Sequence, residues 1–294
     1  RSGAVRPTHF YSSASYGIGQ LLGPCHIFSK AGGLGDELMA VSAIQAAVRL
    51  HPNIELVFHT RFSGLFQGLV GTKSVVAFDT ETIPNDALAL TYAIKQERSV
   101  NEQMALQLGV HEGPFPIDLP SQELKLPTDW HRDGQPIVLI QPSASGWTPN
   151  KQWSLEKWKQ LVESMPLEWK VVELGSFPVL NPPPVHPGWV SLAGKTTLQE
   201  YVSCFQAASI FVGPVSSGMH LAHAYKLPSV IIIGGYEAAH FPYPLATQFG
   251  SELSCAPCGL RSPCPYDLRC LKEIKPGDIL NSIFNKLSTI VSAE

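Results

Sequence analysis

The chain has 294 residues, 44% hydrophobic and 15% charged, with 25 prolines and 24 glycines, a composition that excludes disorder and leaves room for two ordinary domains with sizeable cores. A formal net charge of -3 supplies no basic field for nucleic acid. No apolar run reaches the roughly 18 residues of a bilayer-spanning helix, "LPSVIIIGG" reading instead as a buried strand.

The N-terminal "RSGAVRPTHF" lacks the apolar centre of a signal peptide, so the expectation is a soluble, cytoplasmic protein without a transmembrane segment. From Cys25 onward, short apolar runs alternate with amphipathic stretches, the pattern of βαβ units and parallel sheets. "CHIFSK" reads as a strand. Residues 36–50 follow as a helix, with Leu38, Val41, Ile44, Ala47 and Val48 on one buried face. "IELVFH" and "KSVVAF" are the next strands, with a short helix over residues 62–70 between them.

Residues 108–136 are punctuated by Pro, Gly and charge and read as an interdomain linker. The alternation then restarts: strands "PIVLIQP", "WKVVELG", "WVSLAG", "SIFVG" and "SVIIIGG", and helices over 155–165, 198–207 and 219–225. The expected architecture is therefore α/β, with two Rossmann-like doubly wound domains, 1–130 and 131–294, facing a central cleft. In such sheets ligands bind beyond the carboxyl ends of the strands.

Three stretches at those ends could carry chemistry. In "AGGLGDELMA" the glycines Gly32, Gly33 and Gly35 let a ligand approach the backbone. The motif is neither G-x-G-x-x-G nor a Walker loop. A tight turn with Asp36 as an ordinary first-turn acid fits the pattern equally. In "QPSASGWTPNKQWSLEKW", Ser143, Ser145, Thr148 and Lys151 suit a diphosphate; a solvated loop with Trp153 and Trp158 as core anchors is the alternative. In "FVGPVSSGMHLAHAYKLP", Ser216, Ser217 and Gly218 open a helix whose free amides invite an anion. His220 and His223 on that helix, lacking a carboxylate partner, read as packing or hydrogen-bonding residues rather than metal ligands.

Together these stretches resemble glycosyltransferase family 9, the heptosyltransferase-like enzymes of GT-B fold. "GGLGDELMA" is similar to the family's G-x-x-G-D loop, "KQWSLEKWKQL" to its K-x-W-x-x-E-x-W segment, and "LAGKTTLQEYVSCFQAASIFVGPVSSGMHLAHAYKLPSV" to the run from L-x-G-x-T-x-L to M-H-L-A-x-A. The resemblance implies a metal-independent inverting transfer of a sugar, heptose from ADP-heptose in lipopolysaccharide biosynthesis, to a saccharide, lipid-linked or protein acceptor. A lipid-linked acceptor would entail peripheral membrane contact.

Carried over, Asp36 becomes the general base toward the acceptor hydroxyl, with Gly32, Gly33 and Gly35 as the acceptor-side loop. Lys151, with Ser143 and Thr148, neutralises the departing diphosphate. Ser216, Ser217, Gly218, Met219 and His220 hold the donor's phosphates, and base contacts fall near Gly175 and Ser176. Val215 stands where the family commonly has an acid, and Ser217 where it has a glycine. That departure keeps open a nucleotide-sugar-binding or scaffold protein without turnover, and because fold alone does not settle reaction type, a nucleotide-sugar epimerase or hydrolase of the same plan stays open too. Arg61, Lys95 and Arg98 could meet an anionic acceptor or be ordinary solvated surface.

Cys255, Cys258, Cys264 and Cys270, spaced C-x2-C-x5-C-x5-C, resemble the Cys-bearing tail of many members. Their spacing suits a structural zinc or iron knot, with two disulfides as the rival. Cys25 and Cys204 read as buried apolar residues.

Overall fold

The computed structural model describes residues 24–94, 98–128, 130, 134–144, 148–237 and 241–291. The N-terminal segment, Lys95 and Ser145 lie outside the described residues.

The first half runs β1 (Cys25–Ser29), α1 (Leu34–Leu50), β2 (Leu56–Thr60), α2 (Ser63–Phe66), β3 (Ser74–Ala77), β4 (Leu88–Leu90) and α3 (Val100–Gln107). Its strands form a parallel sheet in the order β3-β2-β1-β4. The second half follows with β5 (Ile137–Ile140), a short 3₁₀ turn (Pro149–Lys151), α4 (Leu155–Glu163), β6 (Lys170–Glu173), β7 (Trp189–Ser191), α5 (Leu198–Ala207) and β8 (Ile210–Pro214). It continues through α6 (Ser217–Ala224), β9 (Ser229–Gly234), β10 (Ala246–Gly250), α7 (Arg269–Lys272) and α8 (Pro276–Val291). Here the parallel order is β10-β9-β8-β5-β6-β7.

Strands covered on both faces read as continuous apolar runs, and β5, β8 and β9 are buried along their whole length. Helix starts are fixed locally. At α5 the Thr197 hydroxyl accepts the Glu200 amide at 3.2 Å while the Glu200 carboxylate accepts the Thr197 amide at 2.8 Å, a reciprocal cap that satisfies two of the free amides at the helix start. Trp153 and Trp158 are core residues, packed edge to face with ring centroids 5.2 Å apart.

Helix α1 departs from the expectation of a single buried face. Every residue from Glu37 to Ala47 is buried, because the helix touches β1 beneath it, α3 beside it and α6 across the cleft. Leu38 and Ile44 of α1 share one continuous apolar core with Met219 and Leu221 of α6. The linker stretch 108–136 carries no regular element among its described residues, yet it is anchored. Phe115, Ile117 and Trp130 enter the same core, and Gln45 exchanges two hydrogen bonds with the Asp118 backbone at 2.7 and 2.9 Å.

Strands β4 and β10 and helices α3, α7 and α8 go beyond the sequence-based expectation. No helix among the described residues is long and apolar enough to cross a membrane.

Candidate active site

The two halves meet where the N-terminus of α1 faces that of α6. A Cβ built on Gly35 would lie 3.4 Å from both the Ser217 amide nitrogen and His220 Cδ2. Two helix N-termini each present unsatisfied amides and partial positive charge. Their convergence favours negative charge in the cleft between them. Gly33, Gly35, Asp36, Lys151, Ser216, Ser217 and His220 all line this cleft.

Asp36 occupies the third position of α1 and uses both carboxylate oxygens. Oδ2 accepts the Gly33 amide at 3.1 Å, which is the helix-capping role of an ordinary first-turn acid. Oδ1 accepts the Tyr92 hydroxyl at 2.6 Å. The carboxylate is thus held in one orientation at the mouth of the cleft, and each oxygen keeps lone-pair capacity for a further proton donor. Burial and the Asp36 charge push the Tyr92 phenol well above its ordinary range, so it stays a donor. Of the three opening glycines, only Gly32 takes a left-handed backbone, at φ 70°. It stands behind the cleft, where a Cβ would strike the Arg61 guanidinium.

The opposite wall is built from the second sheet. Lys151 ends the short 3₁₀ turn and its ammonium pairs with the Glu237 carboxylate, 4.9 Å from the centroid of the Tyr236 ring. At the start of α6, the Ser217 hydroxyl lies 3.2 Å from the Tyr201 hydroxyl, which donates to Gln141 Oε1 at 2.7 Å. His220 is buried, its Nδ1 2.6 Å from the Tyr243 hydroxyl. Desolvation, with the nearby His223 and Lys151, pulls its pKa down to about 3. It therefore meets a ligand as a neutral imidazole and not as a cation. His223 stacks on Tyr243 with centroids 4.0 Å apart, which accounts for the His pair as packing.

Other expected donor contacts are placed differently. Thr148 donates to the Leu260 carbonyl at 2.9 Å and accepts the Asn150 amide at 3.1 Å, so its hydroxyl is spent inside the fold. Met219 is fully buried in the core. Gly218 is a packing glycine, since a Cβ there would sit 2.5 Å from the Phe211 ring. Ser143 and Gly175 lie outside the cleft lining. Beyond Gly175, buried Glu173 secures the loop by accepting the Val179 and Leu180 amides and the Ser191 hydroxyl. Val215 lines the cleft as an apolar wall.

Sequence reasoning missed Tyr92, Glu237 and Glu37. Tyr92 follows β4, a three-residue strand without a recognisable pattern, and reaches Asp36 only because β4 pairs with β1. Glu37 is buried and pairs with Thr60 and with the Arg61 amide and guanidinium. Burial raises its pKa against those hydrogen bonds. Arg61 also stacks 4.1 Å from the Phe78 centroid, so it buttresses the glycine turn. Arg98 is exposed.

All six cysteines are free thiols; Cys204 is buried and Cys25 half-buried. The four clustered cysteines form a lobe outside the cleft. No group of three or more ligand side chains converges on one point among the described residues, so the thiols as arranged do not form a closed metal cage. The lobe nonetheless supports the cleft wall that carries Lys151. The Cys258 and Gly259 amides donate to the Gly235 and Tyr236 carbonyls at 2.9 and 3.0 Å, and Asn150 Nδ2 donates to the Leu260 and Ser262 carbonyls at 2.7 and 2.8 Å.

Residues 67–267 match the model of glycosyltransferase family 9 (heptosyltransferase). Over 103 residues the sequence is 28% identical to lipooligosaccharide heptosyltransferase 2 of Campylobacter jejuni, a match spanning 34% of this chain and only 32% of that protein. Among solved structures, a family 9 glycosyl transferase from Veillonella parvula superposes with a TM-score of 0.66 at 11% identity, over 90% of this chain and 97% of the other. E. coli ADP-heptose lps heptosyltransferase II gives 0.59 at 15% identity, over 90% and 99%. TibC, described as a dodecameric iron-containing heptosyltransferase and solved with ADP-D-beta-D-heptose, gives 0.68 at 19% identity, over 90% and 77%.

Proposed function

The chain belongs to glycosyltransferase family 9 and is a glycosyltransferase of GT-B fold, and from that premise we propose that it transfers heptose from ADP-heptose to an acceptor hydroxyl with inversion at the anomeric carbon. The donor sugar and nucleotide are suggested by TibC and its bound ADP-heptose. The acceptor is a saccharide, lipid-linked glycan or protein. Residues 1–130 form the acceptor side and 131–294 the donor side.

One observation carries the reading: a carboxylate held in fixed orientation faces a lysine and a helix N-terminus across one cleft. In the proposed step, an Asp36 oxygen takes the proton of the acceptor hydroxyl as that oxygen bonds to the anomeric carbon. The bond from that carbon to the diphosphate oxygen breaks, and its electron pair leaves with the nucleoside diphosphate. Lys151 and the first amides of α6 receive the negative charge that develops there. Ser216, whose hydroxyl has no partner among the described residues, adds a hydroxyl donor; the Ser217 hydroxyl is directed at Tyr201, so Ser217 contributes through its amide, and neutral His220 supplies at most one ring N–H. These groups account for leaving-group stabilisation with protein residues alone. The cysteine lobe is assigned a structural role, away from the bonds that change.

The test is Asp36→Asn, which keeps the shape of the side chain and removes the base. Transfer should fall by about a hundredfold or more in kcat, while affinity for ADP, followed by calorimetry, stays within about twofold. Undiminished transfer by the variant would remove Asp36 from the mechanism.

A further inference from the structure

The cleft holds a second carboxylate, Glu237, which neither the reading above nor the sequence motifs employ. It follows β9 in the turn Gly234–Gly235–Tyr236 and lies at the carboxyl end of the sheet, where ligands of such folds bind. Its side chain is 8% exposed. One oxygen, Oε1, pairs with Lys151. The other, Oε2, is buried without a hydrogen-bond partner among the described residues. A buried carboxylate oxygen left unpaired is costly, so a partner absent from the free chain is expected there.

The position of Glu237 says what kind of partner. With Asp36 it makes up the acidic lining of the cleft, which also contains Tyr92, Lys151 and His220. Its carboxylate contacts the proposed diphosphate cation on one side and feels the Asp36 charge on the other. In any displacement of the kind described, the donor's sugar ring must lie between the departing phosphate and the base. The Lys151 ammonium has three donors, and one directed to Glu237 leaves others for a phosphate oxygen. The carboxylate can remain in place while its second oxygen accepts from an O–H group. Val215, on the same lining, has no polar side-chain atom to offer.

We propose that Glu237 is the residue that recognises the donor's sugar, its free Oε2 accepting hydrogen bonds from one or two sugar hydroxyls while Oε1 keeps Lys151 aimed at the diphosphate. This rests on the nucleotide-sugar reading. It makes Glu237 a specificity-determining residue, distinct from the base and from the phosphate-binding groups. It also assigns the role to a loop following β9, and not to the loop preceding α6 in which Val215 stands.

The experiment compares binding of ADP and of ADP-heptose to the full chain and to Glu237→Gln, an isosteric change, with the thermal midpoint recorded as a check on folding. ADP carries the diphosphate and the ribose but no transferred sugar. If Glu237 reads the sugar, the variant, whose amide oxygen still accepts from Lys151, binds ADP within about twofold of wild type. ADP-heptose affinity then falls by about tenfold relative to ADP. The same change in affinity for both ligands would overturn the proposal and reduce Glu237 to a counter-ion for Lys151. A loss confined to ADP would also overturn it, by placing the contact on the ribose or phosphates. If wild type binds neither ligand, the nucleotide-sugar reading itself fails, and the proposal with it. Should Glu237→Gln fold poorly, Glu237→Asp gives the same ratio with the charge kept and the reach shortened.

Discussion

Asp36 shows why local pattern could not separate a cap from a base: the side chain has the geometry of both. Its bond to the Gly33 amide is the ordinary first-turn contact, and its bond to Tyr92 comes from a residue 56 positions away. His220 is the opposite case, since its place on a helix start invited a phosphate role that burial now limits to a neutral one. Its folded-state pKa of about 3 lies below the ordinary value of 6.5. Between those values the unfolded chain binds the extra proton and the folded chain does not, so folding stability rises with pH across that window and is lost on acidification. In denaturant titrations from pH 3 to 7, His220→Asn should flatten that dependence by about one proton's worth of slope. An unchanged slope would show that His220 is protonated in the folded protein.

Among the elements, α6 is the one on which the proposed donor side depends. It is short, eight residues, and its position is set by packing beneath its first turn. Gly218 sits against Phe211 and Gln141, with an added Cβ only 2.5 Å from the ring and 2.9 Å from Gln141 Oε1. Phe211 is fully buried and has nowhere to retreat. Gly218→Ala should therefore destabilise the protein by about 1–3 kcal/mol, read as a lower denaturant midpoint at unchanged m-value. Strands and helices with strong patterns, such as "SVIIIG" and "LEKWKQLVE", were legible because burial alone specifies them. The helix α3 carried a readable signal that went unused, a Ser99–Glu102 capping box with the Glu102 carboxylate 2.6 Å from the Ser99 amide. β4 carried almost none, because a three-residue strand becomes a strand only through its neighbour.

For the whole molecule, the cysteine lobe and the cleft wall that carries Lys151 and Glu237 are one mechanical unit. The lobe's backbone is tied to the Gly235–Tyr236 turn that leads to Glu237, and Asn150 beside Lys151 is tied back to the lobe. Drawing the thiols together around a metal would stiffen both cleft residues at once, since such binding is coupled to folding. If the lobe holds zinc or iron, protein purified without oxygen should contain about one ion per chain, and chelation should lower both the thermal midpoint and ADP affinity. Metal-free protein with four titratable thiols and full ADP affinity would overturn that assignment.

The sequence by itself determined the α/β class, the alternation into two parallel sheets and the family, because buried strands, helix periodicity and contiguous motifs are properties of neighbouring residues. It also picked out Asp36, Lys151 and the Ser216–Ser217 helix start as the residues to watch. Only the tertiary structure decided which of the nominated residues share a cleft, and it withdrew Thr148 and Met219 into the fold. It alone brought Tyr92 to Asp36 and Glu237 to Lys151, pairs separated by 56 and 86 positions. The physical reason is range: hydrogen bonds and ion pairs act over a few ångströms in space, and only the strand order within each sheet, β4 beside β1 in the first and β9 and β5 flanking β8 in the second, sets which distant residues come that close.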